Sequence, residues 1–253
     1  MNEIYLNRDY VITTNMLDCY DRLKLSSILD LTQAISGEHA DLLDIGFSNF
    51  IKKGLIWVVI RTKFEFFDNP KNIKKLNIRT SLATPRLFEC PRDYEIKNDE
   101  EVIAKGRSIW AIYDINNKKI VLPNDYETLL IDNKGLFPRI KKIELIDKNL
   151  LKKVSSFKVP FSMLDHNLHM NNTHYLDLFF DVFKPNKIDE IQSFQVEYVS
   201  QCYLDDVIDL YIYENANKKY LYGYIENNLK FYIEVTFKWH KSQNKSLLIH
   251  SLN

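Results

Sequence analysis

The chain has 253 residues and 45% hydrophobic content, enough for one large domain or two of ordinary size. Lysine plus arginine equals aspartate plus glutamate at 34 each, so no global field recruits nucleic acid or a membrane surface. The three cysteines, Cys19, Cys90 and Cys202, include no Cys-x-x-Cys pair, which argues against a disulfide framework or a zinc knuckle.

The first ten residues have no apolar signal core, and no run of about 18 apolar residues occurs anywhere. These features predict a cytoplasmic protein without a membrane span. Residues 4–13 alternate as a first strand. From Leu23 the period changes to three and four, and a helix of about twenty residues is expected over 24–43, closed near Gly46. After Gly54 the chain turns β-rich. Strands are expected at 56–67, 76–83, 92–97 and 102–115, with a turn at Asn69-Pro70.

Residues 126–159 fit neither period and read as an inter-domain connection. A second round follows, with a short apolar helix from Tyr175 to Phe183 stopped by Pro185. Strands are expected at 192–201, 206–214, 219–226 and 229–240. The last alternates strictly, with Leu229, Phe231, Ile233, Val235, Phe237 and Trp239 on one face. Each half thus reads as one helix followed by antiparallel strands, an α+β pattern. The repeat is one of architecture, offset by roughly 130 residues, rather than of sequence. The expected division is 1–125, a connection over 126–159, and 160–253.

The chemistry concentrates in Met163-Leu-Asp-His-Asn-Leu-His-Met-Asn-Asn-Thr-His-Tyr175. A carboxylate, an amide and an imidazole alternate at Asp165, Asn167 and His169, and Asn171 and Asn172 follow. The loop runs into a helix N-terminus, whose unpaired N–H groups suit a carbonyl oxygen that becomes negative during acyl transfer. His166, His169 and His174 do not have metal-ligand spacing, so no metal is expected. With six glycines and no phosphate-binding loop, no nucleotide cofactor is expected either.

Asp-x-Asn-x-His-x-Asn-Asn-x-x-Tyr, followed later by Glu197-Tyr198-x-x-x-Cys202, resembles the acyl-ACP thioesterase family, the plant plastid enzymes and their bacterial relatives. Trp57-Val58-Val59-Ile60-Arg61 and Arg92-Asp93-Tyr94-Glu95-Ile96 are similar to its first-half pattern. The resemblance implies two tandem hot-dog domains, each a curved antiparallel sheet wrapped on a central helix. It implies hydrolysis of fatty acyl thioesters of acyl carrier protein, carried on phosphopantetheine, with the acyl chain held by the first domain. Asn167 would then position substrate or water, His169 would act as base or donor, and Asp165 would hold the network. Trp57, Asn171 and Asn172 would face substrate.

The plant enzymes carry a Glu-Cys pair where this chain has Gln201-Cys202. Glutamine cannot take a proton at neutral pH and can only orient a water. The base is then His169, Asp165 or neither. Glu197 reads as a structural or surface carboxylate, because the position that matches the family is Gln201. Cys202 could serve as a nucleophile, but a small buried apolar residue is the better reading of a free cysteine. Two rivals share the fold: an acyl-CoA thioesterase and a β-hydroxyacyl dehydratase. A third is an acyl-binding module without turnover, for which Gln201 is the best support. Both a monomer and a homodimer are compatible with two fused domains.

Overall fold

The computed structural model describes residues 5–68, 73–123 and 133–238. The Asn69-Pro70 turn and Trp239 lie outside these residues. The chain order is β1 (Tyr5–Val11), α1 (Leu25–Leu42), α2 (Phe47–Ile51), β2 (Leu55–Phe66), β3 (Lys75–Leu82), β4 (Cys90–Asn98), β5 (Glu101–Asp114) and β6 (Lys119–Val121). The second round is β7 (Lys152–Lys158), α3 (His174–Phe183), β8 (Ile191–Tyr198), β9 (Val207–Asn215), β10 (Lys218–Ile225) and β11 (Asn228–Phe237).

These strands form one antiparallel sheet, ordered β1-β3-β4-β5-β2-β8-β11-β10-β9-β7, with β6 paired to β5. Strands β2 and β8 join the halves, with Arg61 opposite Glu197 and Phe64 opposite Phe194. Both helices pack on one face of the sheet. Ile28, Leu31 and Ile35 of α1 and Leu176 and Phe179 of α3 share a single core with Phe64, Ile78, Phe194 and Ile233. The period-2 strands and period-3.6 helices therefore bury their apolar faces against each other across the junction.

Glycine permits one close approach in each half. A Cβ at Gly106 would overlap the ring of Phe64, and one at Gly223 would overlap Phe231. Each glycine lets a core phenylalanine lie flat over the neighbouring strand.

Two expectations need correction. The 126–159 connection contains β7, which pairs with β9, so the second half of the sheet begins by Lys152. Its Lys-Lys-Val-Ser-Ser-Phe-Lys sequence is mostly solvent-facing, so no apolar alternation announced it. Gly46 does not close α1; it precedes the short α2, while Leu43 caps α1.

The described residues of the connection that precede β7 cover the outer face of the sheet. Phe137 and Ile140 pack on Ile109, and Ile143 packs among Tyr220, Tyr222, Tyr224 and Tyr232. Tyr232, on the non-core side of β11, is therefore fully buried, its ring stacked on Tyr222 at 5.6 Å. Charge anchors this cover. Glu197 accepts hydrogen bonds from Arg61 Nε (2.7 Å), Gln195 Nε2 (2.8 Å) and Ile143 N (3.0 Å). Asp93 pairs with Arg107 and accepts from the N–H groups of Leu136 and Phe137. Glu197 is thus structural.

Candidate active site

A 3-10 turn, Phe161–Met163, turns the chain after β7 into the loop that carries the polar motif. Asp165 folds that loop. Its Oδ1 accepts from the N–H groups of Asn167 (2.8 Å) and His169 (3.3 Å), and its own N–H donates to His169 O at 2.8 Å. Leu168, at φ 64°, takes the left-handed residue of this turn. Leu164 pairs with Met170, and Met170 N donates to Cys202 O. The carboxylate is therefore spent on backbone N–H groups, which leaves the side chains of Asn167 and His169 on a rigid turn. Among the described residues, neither the Asn167 amide nor the His169 imidazole has a hydrogen-bond partner in the protein.

Burial lowers the His169 pKa below its ordinary 6.5, and the nearby Asp165 carboxylate opposes that shift only in part. The imidazole is neutral at physiological pH and able to accept a proton. Its ring packs edge-on against Tyr203 at 5.0 Å, and the Tyr203 hydroxyl donates to Gln201 Oε1 at 2.9 Å. Gln201 thus reaches the imidazole through a tyrosine and is itself exposed.

Cys202 lies beneath the loop, fully buried. Burial pushes its thiol pKa up, although a hydrogen bond with Tyr175 and the Lys230 charge pull the other way. A thiol in that state is a poor nucleophile, because the thiolate is the reactive form. Cys202→Ala should keep turnover within a few-fold of the parent. Mass spectrometry of the quenched enzyme should find no acyl adduct on this residue.

The helix end is less open than the sequence implied. Asn171 takes two of its first N–H groups: Thr173 N bonds to Asn171 Oδ1 at 3.2 Å and His174 N to Asn171 O at 3.1 Å. Asn171 is therefore engaged in shaping the entry to α3. Asn172 faces a small cavity of about 20 Å³, room for about one water. Trp57 stacks on Phe50 at 5.2 Å and donates from Nε1 to Ile45 O at 2.7 Å, in a separate cluster beneath α2. From that helix Phe47 reaches His166, its ring 4.5 Å away, so the first half abuts the loop of the second.

The motif alone did not point to Trp110. Its Nε1 is buried without a hydrogen-bond partner, and it lines the cavity that Asn172, Thr62, Ser108 and Tyr198 share. The available signal was a run of polar and aromatic residues, Arg107-Ser108-Ile109-Trp110, in the middle of the longest strand. Tyr203 was equally silent, since nothing in the sequence shows which residue will lie on an imidazole.

A family model for the acyl-ACP thioesterase N-terminal domain matches residues 3–127, and one for the C-terminal domain matches residues 147–245. The chain belongs to the acyl-ACP thioesterase family. It is a thiolester hydrolase of fatty acyl-ACP with the two-unit hot-dog fold, and the continuous sheet is that fold's two halves joined edge to edge. Solved structures agree on the fold. An acyl-ACP thioesterase from Bacteroides thetaiotaomicron is 19% identical, with a TM-score of 0.83 over 94% of this chain and 100% of that one. The 12:0-ACP thioesterase from Umbellularia californica is 16% identical, with a TM-score of 0.82 over 93% and 97%. A putative oleoyl thioesterase from Lactobacillus plantarum is 18% identical, with a TM-score of 0.75 over 92% and 96%. A search of curated protein sequences returned no match. In this thioesterase no helix among the described residues is long and apolar enough to cross a membrane.

Proposed function

We propose that the thioester is cleaved at the Asp165–His169 loop by a water that His169 activates. The reading rests on one observation: a neutral imidazole and a carboxamide, both without protein partners, stand two residues apart on a turn locked by Asp165. The Asn167 amide donates to the carbonyl oxygen as it gains negative charge. His169 takes a proton from the attacking water and returns it to the departing thiolate, giving the free fatty acid and the phosphopantetheine thiol of the carrier. Tyr203, held by Gln201, fixes the plane of the imidazole. Gln201 supplies no proton transfer. Asn172 and Trp110 line the approach to the carbonyl, and Asn171 shapes the helix entry.

Burial of Cys202 supports a direct attack by water over an acyl-enzyme. The free thiols at Cys19, Cys90 and Cys202 fit a reducing cytoplasm. The β2–β8 pairing lets a single chain bring both halves to the site, so a monomer suffices.

The pH dependence of thiol release from acyl-ACP tests the reading. Because His169 must be neutral to act, kcat should be level near neutral pH. It should fall on acidification through a midpoint below 6.5, the ordinary histidine value that burial depresses. A midpoint above 6.5 would instead implicate His174, whose pKa is raised by its hydrogen bond to Asp177, and would defeat the assignment.

A further inference from the structure

The loop at the reaction centre occurs twice in this chain. Met16-Leu17-Asp18 opens the first copy and Met163-Leu164-Asp165 the second, each after a 3-10 turn and each leading into the helix of its half. Their hydrogen bonds correspond. Asp18 Oδ1 accepts from Tyr20 N (2.8 Å) and Arg22 N (3.0 Å), as Asp165 does from Asn167 and His169. Asp18 N donates to Arg22 O at 2.7 Å, and Lys24 N donates to Met16 O as Asn171 N does to Met163 O. Asp21 has φ 61° where Leu168 has 64°. Leu17 pairs with Leu23 as Leu164 pairs with Met170.

What differs is the reactive pair: Tyr20 stands for Asn167, and Arg22 for His169. Arginine cannot act as a base at any physiological pH. Arg22 is also occupied. Nε bonds to Asp18 Oδ2 at 2.8 Å, and NH1 donates to the carbonyls of Asp189 (2.8 Å) and Asn186 (3.0 Å) in the other half.

Beneath this silent copy lies a cavity of about 560 Å³, within the roughly 300–1,000 Å³ typical of small-molecule sites. It stands where the pseudo-symmetry of the two halves places the counterpart of the reaction centre. The second-half loop rests on the residues that follow β8, and the cavity runs to Phe66 and Asp68 at the end of β2. Ile28, Leu31, Ile103, Phe180 and Ile191 also line it and supply an apolar floor. Its polar lining holds seven carboxylates against three basic groups, and the carboxylates include Asp30 on α1 and Asp177 and Asp181 on α3.

We propose that this cavity is a second, non-hydrolytic binding site for an acyl thioester, taking the apolar chain on its floor and the uncharged thioester and amide arm at the loop. The shape inherited from the catalytic loop selects the ligand, and the carboxylates turn away a free fatty acid, whose charge repels theirs. The proposal rests on the assignment of the second-half loop as the reaction centre.

The probe is S-dodecyl-N-acetylcysteamine, an uncharged thioether that cannot be hydrolysed. Calorimetry should give two equivalents per chain for the parent protein. Asp30→Trp, an exposed position that folding does not require, should shut the mouth, and Leu31→Trp should fill the floor. Each should reduce binding to one equivalent while thiol release from acyl-ACP stays within about twofold. Dodecanoate should not compete for the equivalent that Asp30→Trp removes. One equivalent in the parent, two equivalents retained in both variants, or displacement by dodecanoate would each overturn the proposal. Thiol release is read separately, so a failure of the catalytic assignment shows as normal turnover in His169→Ala and leaves the stoichiometry legible.

Discussion

His169→Ala and Asn167→Ala should each lower kcat by roughly 10²–10⁴, the range for a lost general base or oxyanion donor. Both side chains are half-buried and make no hydrogen bond to the protein among the described residues. Removing either therefore leaves no orphaned partner, and the loop keeps its form because Asp165 holds the backbone rather than the side chains. The melting temperature should move little, and KM for acyl-ACP should change far less than kcat, because the proposed roles of both side chains are made at the reacting carbonyl and water. Steady-state thiol release and a thermal melt of each variant check this. Parent-level turnover in both variants would reduce the loop to a helix entry and send the chemistry elsewhere.

Glu197→Ala should lower stability by about 3–5 kcal/mol, the usual cost of breaking a buried ion pair by removing one member. The Glu197 side chain is 3% exposed and that of Arg61 9%, and the carboxylate also receives Gln195 and Ile143 N. Its removal strands a buried guanidinium and two donors, and it loosens the connection that covers the tyrosines of β10 and β11. A double change, Arg61→Met with Glu197→Met, removes both charges and should recover most of the loss, because two apolar side chains leave no unpaired charge. Urea midpoints of the three proteins decide the matter. A loss under about 1 kcal/mol in Glu197→Ala would mean the pair behaves as a solvent-screened surface bridge.

Local periodicity carried most of the architecture. The core helices and strands have alternation or helical spacing long enough to read, and their observed limits stay close to the expected ones. β7 escaped because an edge strand with solvent on most of its residues has no apolar stripe, and α2 escaped because five residues are too few to show a period. The buried tyrosines on the non-core face of β10 and β11 escaped for a different reason. Their burial depends on described residues of the connection, among them Ile143, that have no regular structure of their own.

The sequence by itself determined the α+β pattern, the two rounds of helix and strands, and the loop with Asp165, Asn167 and His169, since spacing along the chain is a local property. Only the tertiary structure decided what each of these residues does. It turned Asp165 onto the backbone, spent the first N–H groups of α3 on Asn171, and buried Cys202 as a thiol. It laid Tyr203 against the imidazole and linked Gln201 to it. It also gave the two Met-Leu-Asp loops matching hydrogen bonds, one loop carrying Asn167 and His169 and the other bordering an open cavity. These outcomes depend on contacts between segments far apart in the chain, where burial and hydrogen bonding fix the charge and direction of a side chain, and no local period encodes them.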